Sequence, residues 1–347
     1  MKKYKTIKDI AKLAKVSSST VSRVVNKKSG NYSKKTEEKI LKLVNKYHYS
    51  PNLIAKSLKT KRTKTIGIIV PDITNVIFSQ LYKAMTECAR KRGYTVILGC
   101  SYYDNDKEED EVDVMLNKLV DGMIFCGGFD ELENIEKVNK LDIPMVIAER
   151  FNFNNNFPSV QIDNALAVEK SIDYLVRFGH RDISYISFSP KKHFSTKERC
   201  NGFVRGLKKN NINFNPEKLI IDESLRLNEI EGTSNLIKKM FKEGRNMPTA
   251  FVVLADVFAI GLFKGLKKMG FNIPKDISVV GFDDSIICEY LEPSLTTVNW
   301  QEKTMGTESM NLVIDIIEGK DIKNKNIVLP AKIIERESVG SPRKKNF

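Results

Sequence analysis

Residues 17–26 combine side-chain types that could read nucleic acid. The stretch SSSTVSRVVN holds four serines, a threonine and Arg23. The planar guanidinium of an arginine matches O6 and N7 of guanine, and small hydroxyls allow close approach to base edges and phosphates. An ordinary polar helix surface is the alternative interpretation, because short motifs also match by chance.

The positive charge of the chain is concentrated in its N-terminal segment. Residues 1–64 hold 19 Lys and Arg against three acids, a net charge of +16, although the whole chain of 347 residues carries only +14. The remaining 283 residues carry a net charge of −2. This asymmetry is typical of a polyanion-binding module joined to a body with a different function, and a basic solvated tail is the alternative.

Three short helices are predicted in this segment. Thr6 and Asp9 resemble a capping box. Ser17 and Ser33 can each cap a following helix. The apolar stripes that would share one core are Ile7, Ile10, Ala11 and Ala14, then Val21, Val24 and Val25, then Ile40, Leu41, Val44 and Tyr47. This pattern predicts a helix-turn-helix domain whose second helix enters the major groove.

A basic linker follows the three helices. Pro51 ends the preceding helix, and Asn52 can cap a short helix that ends at Leu58. Residues 56–64 hold five Lys and Arg and no acid. The sequence therefore predicts a linker that folds on DNA.

The order of these motifs resembles the LacI/GalR family of bacterial transcription regulators. The resemblance rests on TIKDIAKLAKVS, STVSRVVN, YSPN, AKSL and TIGIIVPD, which occur in that order. It implies that hinge helices of two subunits pair in the minor groove, where Leu58 wedges into the central base step. The residues expected to contact DNA are Thr6, Ser17, Ser18, Ser19, Thr20, Ser22, Arg23 and Asn26, with Asn52, Ala55 and Leu58 in the hinge.

Beyond Thr65, apolar β-rich runs alternate with segments of helical length and periodicity. The predicted strands cover 66–70, 95–98, 122–125 and 144–148 in one set, and 183–187, 219–221, 250–254 and 277–282 in another. This alternation predicts an α/β fold with two doubly wound parallel sheets and a ligand cleft at the carboxyl ends of the strands. The resemblance implies a body similar to periplasmic sugar-binding proteins, in which the chain passes between the halves three times.

The predicted domain boundaries follow from these segments. A helix-turn-helix headpiece covers 1–50, a hinge helix and linker 51–64, a body 65–340 and a tail 341–347. Within the body, one subdomain is expected to combine 65–163 with 293–325, and the other to combine 164–292 with 326–340.

The resemblance places ligand contacts in loops that follow strands. Arg199 would supply rigid donors, Asp283 would accept hydrogen bonds from sugar hydroxyls, and Trp300 would stack on a sugar ring. A surface ion pair for Arg199, helix capping for Asp283 and core packing for Trp300 and Phe78 are the alternatives. The expected ligand residues are Asp72, Asn75, Phe78, Arg199, Asp256, Asp283 and Trp300.

Several positions depart from the family pattern and leave the ligand's identity open. Ala255 stands where many members have an asparagine that can contact ligand. Val76 and Ile77 stand where Pro and Phe are usual, and the segment 222–232 lacks the usual aromatic residue.

Other function classes lack the residues that they need. The sequence has no Ser-His-Asp order, no paired catalytic carboxylates and no phosphate-binding loop, so an enzyme is not expected. The five cysteines and three histidines are not clustered, so no metal, cofactor or disulfide is expected. No apolar run approaches the roughly 18 residues of a membrane span, and no signal core follows the first lysines. These features predict a cytoplasmic protein without membrane contact.

The sequence therefore predicts a homodimeric transcription regulator, a repressor that binds a palindromic double-stranded DNA operator and responds to a sugar-like effector in the cleft. A dimer is favoured over a tetramer, since only SPRKKNF follows Gly340. Two other hypotheses stay open. One is a regulator of the same family that is controlled by a protein partner such as a phosphocarrier protein. The other is a sugar-binding module without a DNA role.

Overall fold

A computed structural model describes residues 5–26, 29–30, 32–49, 62–128, 130–150, 156–191, 193–226 and 228–343. The chain divides into two compact units, Met1–Thr63 and Lys64–Phe347, here called the headpiece and the body. The predicted hinge helix, with Asn52, Ala55 and Leu58, lies outside the described residues.

The described part of the headpiece has three helices, and the predicted caps begin all of them. The Thr6 side chain accepts a hydrogen bond from the N–H of Asp9, whose carboxylate accepts one from the N–H of Thr6, so the capping box is confirmed. Ser17 and Ser33 cap the next two helices in the same way. Each such cap stabilises a helix by about 1 kcal/mol. The helices are α1 (Ile7–Ala14), α2 (Ser18–Val25) and α3 (Lys34–Lys46).

The inner faces of these helices form one small core. Ile10, Val21 and Ile40 are fully buried at its centre. The prediction of Leu41 as a core residue is wrong, because its side chain is 42% exposed. One residue further along a helix turns the side chain by about 100°, so Leu41 points away while Leu43 packs against the core.

The body alternates strands and helices as predicted. The strands are β1 (Thr65–Val70), β2 (Thr95–Cys100), β3 (Gly122–Cys126), β4 (Met145–Ala148), β5 (Ser159–Ile162), β6 (Ile183–Ser187), β7 (Leu219–Ile221), β8 (Ala250–Val253), β9 (Ser278–Phe282), β10 (Thr296–Asn299), β11 (Asn326–Leu329) and β12 (Lys332–Ile334). The helices are α4 (Val76–Lys91), α5 (Asn105–Asn117), α6 (Glu133–Lys140), α7 (Asn164–Arg177), α8 (Phe194–Lys209), α9 (Glu229–Lys242), α10 (Asp256–Lys268) and α11 (Glu302–Ile317).

The strands form two sheets of six, which confirms the predicted fold class. The first sheet has the order β11-β5-β4-β3-β1-β2, and the second has the order β12-β10-β9-β8-β6-β7. All pairings are parallel except that of β10 with β12, which is antiparallel. Central strands such as β3, β6 and β9 are buried along their whole length, because helices cover both faces.

The chain passes between the two sheets three times, after β5, after β10 and after β11. Two of the predicted subdomain boundaries are therefore wrong. Residues 296–299 pair with β9 in the second sheet, although 293–325 was assigned to the first subdomain. Residues 326–329 pair with β5 in the first sheet, although 326–340 was assigned to the second. Both strands have only four residues; Thr296–Asn299 contains a single strongly apolar residue and Asn326–Leu329 only three in a row, so the sequence pattern is weak at both.

Close helix packing supports the second sheet. Helices α7 and α8 cross where Gly202 meets Ala165, and a Cβ atom on Gly202 would overlap the carbonyl oxygen of Ala165. Glycine at this point lets the two backbones touch. Helix α8 is therefore packed closely against α7, which matters because α8 carries Arg199.

Candidate functional site

Helix α2 presents its polar residues outward. Val21 and Val24 are 0% and 3% exposed and fix the inner face of the helix. Ser19, Arg23 and Asn26 are exposed, and Ser18, Thr20 and Ser22 are partly buried. The residues expected to read DNA therefore lie on one accessible face, together with exposed Ser17 at its start and exposed Thr6 on the neighbouring helix.

Hydrogen bonds order the hydroxyl groups at the start of α2. The Ser17 hydroxyl lies 2.7 Å from that of Ser19 and 2.8 Å from that of Thr20, and it accepts the N–H of Thr20 at 3.1 Å. At the other end, the Asn26 side-chain amide donates to the carbonyl oxygen of Ser22 at 2.7 Å. The α2 surface is thus partly pre-organised, while the Arg23 guanidinium extends beyond it.

A second polar site lies in the body at the carboxyl ends of the strands. After β1, the Asp72 carboxylate accepts hydrogen bonds from the N–H and hydroxyl of Thr74 at 2.8 Å each. Asn75 caps α4 by accepting the N–H of Ile77 at 3.1 Å. Phe78 is half-buried and packs against the hydrophobic core. The predicted loop thus reaches this edge of the sheet, but Asp72 and Asn75 also have structural roles.

Arg199 is the centre of this polar site. Its side chain is 10% exposed, and its guanidinium carbon lies 3.7 Å from the centre of the Phe282 ring. Its Nε donates to Asn164 Oδ1 at 2.7 Å, and Nη1 donates to the carbonyl oxygen of Leu254 at 2.9 Å. Its Nη2 lies 3.8 Å from Glu149 Oε1. The surface ion-pair alternative does not fit, because the guanidinium is enclosed.

Asp283 and Trp300 are adjacent in the same site. Trp300 is 3% exposed, and its indole N–H donates to Asp283 Oδ1 at 3.1 Å. Asp283 adopts a φ of 123°, in the left-handed region that L-residues rarely adopt. Burial raises the pKa of the Asp283 carboxyl well above its ordinary value, and the charge of Arg199 opposes that rise. A hydroxyl-rich ligand would supply donors to this poorly solvated carboxyl.

Asp256 is better explained as a structural residue. It is 1% exposed and accepts hydrogen bonds from the N–H of Ser285 at 2.8 Å, the Ser285 hydroxyl at 3.0 Å and the Thr297 hydroxyl at 2.6 Å. These three donors occupy both of its carboxylate oxygens. Asp256 ties the start of α10 to the loop after β9 and to β10, so a direct ligand contact would require one of these bonds to break.

Several residues of the site were not predicted from the sequence. Glu149, which follows β4 in the first half, accepts a hydrogen bond from the side-chain amide of Asn164 at 2.7 Å. Burial raises the pKa of the Glu149 carboxyl, while Arg199 and this hydrogen bond lower it. The only signal in the sequence was position, since Glu149 directly follows a strand as Asp283 does.

Aromatic and acidic side chains meet where the two halves face each other. Tyr103, which follows β2, lies edge-on to the His193 ring at 6.4 Å between ring centres. Burial raises the pKa of the Tyr103 phenol, and the neighbouring carboxylates of Glu229, Asp72 and Asp283 raise it further. The positive charge of Arg226 opposes this rise, so aromatic, acidic and basic side chains lie together on this side of the cleft.

A second hydrogen bond joins the halves directly, besides that of Asn164 to Glu149. Helix α8 begins after His193, whose side chain does not cap it. Instead, the Asp130 carboxylate from the first half accepts the N–H of Phe194 at 2.6 Å. Burial raises the pKa of Asp130, and this hydrogen bond lowers it. A small pocket beside this contact is lined by Glu149, Arg150, Gln161, Ile162, Asn164, Phe194 and Ser195.

Comparison with known proteins identifies the family. Residues 6–52 match the model of bacterial regulatory proteins of the lacI family, and residues 172–339 match that of a periplasmic binding protein-like domain. The HTH-type transcriptional regulator RegA of Clostridium saccharobutylicum is 33% identical over 335 residues, 96% of this chain and 98% of that protein. The chain belongs to the lacI family of bacterial regulatory proteins.

Other relatives agree with this assignment. Catabolite control protein A of Priestia megaterium is 31% identical to this lacI-family protein over 333 residues, 96% of this chain and 98% of that protein. A crystal structure of the lac repressor dimer, bound to operator and the anti-inducer ONPF, covers 97% of this chain and 100% of its own, with 25% identity and a TM-score of 0.84. The predicted family and the predicted function as a DNA-binding transcription regulator with a ligand-binding body are confirmed.

The coarser parts of two further expectations also hold for this lacI-family protein. Its relatives are transcription regulators rather than enzymes. Among the described residues, no helix combines the length and the apolar character that crossing a membrane would require.

Proposed function

We propose that this protein is a repressor that binds a palindromic operator as a homodimer and that a neutral, sugar-like effector in the body cleft changes its DNA affinity. It acts in the cytoplasm and catalyses no reaction. The observation that carries the proposal is the enclosed group of Arg199, Asp283 and Trp300 at the carboxyl ends of the second sheet. The lac repressor dimer, which has been crystallised with operator and an anti-inducer, supports it by likeness.

The chemistry of the cleft favours an uncharged polyol. Asp283 can accept hydroxyl hydrogen bonds, and the aromatic rings of Trp300 and Tyr103 can pack against the apolar face of a sugar ring. Asp72 and Glu229 place further hydrogen-bond acceptors near Tyr103. A hydroxyl-rich, neutral sugar can donate to these acceptors and is the effector class that we propose.

On the DNA side, the exposed face of α2 would read the major groove. Arg23 would make the specific contact with a guanine, while the hydroxyls of Ser18, Ser19 and Ser22 would contact phosphates or base edges. Thr6, Ser17, Thr20 and Asn26 would support this surface. The hinge contacts of Asn52, Ala55 and Leu58 in the minor groove stay a prediction from the sequence.

The proposal is tested with the full-length protein in two steps. Selection from randomised double-stranded DNA should enrich a palindrome, as expected when a two-fold dimer binds two half-sites. A thermal-shift screen of sugars and sugar phosphates should then reveal the effector, since a ligand at a hundred times its dissociation constant adds about 2.7 kcal/mol of stability. DNA binding repeated with that ligand should show a changed affinity.

Matched variants make the second step decisive. Asp283→Asn keeps the shape of the side chain but replaces the carboxyl by an amide with one acceptor oxygen, so it should weaken the thermal shift caused by the effector. Glu335→Gln, on the exposed edge of the second sheet, removes a charge away from the cleft and should leave the shift unchanged. Selection that enriches no palindrome, or an effector response that survives Asp283→Asn at full strength, would contradict the proposal.

Control by a protein partner is the second candidate, favoured by the likeness to catabolite control protein A over 96% of the chain. A phosphocarrier protein of the same bacterium would then raise operator affinity when added to the regulator. The same Asp283→Asn variant separates the two candidates. Control by a sugar in the cleft should be lost with the variant, whereas control by a protein bound to the body surface should persist.

A further inference from the structure

The side chain of Arg23 leaves α2 in its last turn. Arg23 is two residues beyond the buried Val21, a rotation of about 200° around the helix, which places it on the outer face. A long arginine side chain with free rotamers would reach several neighbouring bases. Any contact that restricts the direction of the Arg23 side chain therefore influences which base the guanidinium contacts.

The loop after α2 lies against the stem of Arg23. A methyl group added to Gly30 would lie 2.9 Å from Arg23 Cδ, 3.1 Å from Tyr32 Cε1 and 3.3 Å from Tyr32 Cδ1. The Arg23 stem and the Tyr32 ring thus approach the same face of Gly30, where only a hydrogen atom fits between them. Gly30 shows no left-handed φ, so lack of space rather than backbone strain makes a larger residue unfavourable.

Tyr32 itself is held firmly. Its side chain is half-buried and packs against the headpiece core, and its N–H donates to the carbonyl oxygen of Gly30 at 2.9 Å. The next residue, Ser33, caps α3. The ring is therefore tied both to the core and to the start of a helix, so it forms a fixed wall beside the exposed side chain of Arg23.

We infer that Gly30 and Tyr32 are positioning residues that direct the Arg23 guanidinium toward a single base pair and so set the specificity of the half-site. The inference rests on the proposed reading of a guanine by Arg23. If the aliphatic part of the Arg23 side chain is already restricted before binding, less side-chain conformational entropy is lost when its guanidinium makes a bidentate contact. It also keeps the guanidinium from reaching a neighbouring base, which adds discrimination.

The experiment measures base preference in the full-length protein. Wild type and the variants Arg23→Ala, Tyr32→Ala, Tyr32→Phe and Gly30→Ala are each used to select from a library randomised across one half-site. Tyr47→Ala is the matched control, because Tyr47 is another half-buried tyrosine of the same core. Amide hydrogen exchange in the headpiece of each full-length variant is measured alongside, to separate a loss of folding from a loss of base specificity.

Arg23→Ala should flatten the base preference at one position. Tyr32→Ala and Gly30→Ala should reduce discrimination at that same position by about threefold to tenfold, part of what a bidentate contact provides. Tyr32→Phe keeps the ring and should retain the preference. Tyr47→Ala should weaken binding to all sequences equally, as a loss of stability does.

Two results would overturn the inference in different ways. In the first, Arg23→Ala removes the base preference at one position, but Tyr32→Ala and Gly30→Ala leave that preference unchanged. The two residues then do not direct Arg23, and the proposed DNA reading stands. If Arg23→Ala changes no position, the proposed reading fails and the inference fails with it. Gly30→Ala changes an exposed residue and removes no core side chain, so it provides a second test if Tyr32→Ala does not fold.

Discussion

Arg199 is an anchor of the body fold as well as a candidate ligand residue. From the sequence alone, Arg199→Ala is expected to remove the ligand response and to leave the unliganded fold intact. The structure predicts otherwise for the fold. Truncation would leave the carboxylate of Glu149 without its nearby cation and the carbonyl oxygen of Leu254 without its donor.

The size of the effect follows from burial. Breaking a buried ion pair by removing one partner costs about 3–5 kcal/mol, and the side chains of Arg199 and Glu149 are 10% and 9% exposed. The two groups are 3.8 Å apart, longer than a direct hydrogen bond, so the lower end applies. We expect Arg199→Ala to lower the free energy of unfolding by about 3 kcal/mol near neutral pH.

This loss should depend on pH. Burial already raises the pKa of Glu149 in the folded state above the ordinary 4.5, and Arg199 counteracts the rise. Without Arg199 the pKa of Glu149 in the folded state rises further. Between the unfolded-state and folded-state pKa values, Glu149 is then protonated in the folded protein but not in the unfolded chain. The destabilisation is then small near pH 4.5, where the unfolded chain is also protonating, and grows as pH rises through the folded-state pKa.

Urea unfolding monitored by tryptophan fluorescence is the assay. Trp300 is the one tryptophan of the chain and is buried in the body, so the signal reports the body alone. Arg199→Ala, Glu149→Gln and the double variant form a cycle. Glu149→Gln should restore about 1–2 kcal/mol to Arg199→Ala at neutral pH and should remove its pH dependence. A loss that Glu149→Gln leaves unchanged would refute the reasoning.

Three further variants test other contacts. Ser17→Ala removes the cap of α2 and should cost the headpiece about 1 kcal/mol, measured by amide hydrogen exchange; unchanged protection in α2 would contradict this. Asp130→Ala removes the contact with Phe194 across the cleft, so ligand affinity should fall and small-angle scattering should show a wider body; identical profiles would speak against a bridging role. Gly202→Ala places a methyl group against Ala165 and should lower the free energy of unfolding by about 1–3 kcal/mol, measured from the Trp300 fluorescence transition; an unchanged transition would contradict the close contact.

Local sequence signals predicted the headpiece closely. The capping box of Thr6 and Asp9 and the caps at Ser17 and Ser33 involve residues three positions apart, so the sequence contains the whole contact. The error at Leu41 arose because a helix with many lysines offers more than one apolar stripe, and only packing decides between them.

The body site was harder to predict because its contacts join distant residues. Arg199 was found by position in a family motif, but its partner Asn164 is 35 residues away. The hydrogen bond between Asp130 and Phe194 joins residues 64 positions apart, and neither residue type indicates such a contact in the sequence. The structural role of Asp256 could not be predicted either, since its burial and its three donors become visible only in the folded chain.

The three passages between the sheets set an order for synthesis on the ribosome. The headpiece helices are contiguous, so they can fold as soon as they emerge. The first sheet instead waits for α11 and for its edge strand β11, Asn326–Leu329, which are made after almost all of the second sheet. Until then β5 has an open edge, a known starting point for aggregation. The nascent regulator therefore has a DNA-binding end long before it has a body that can respond to a signal.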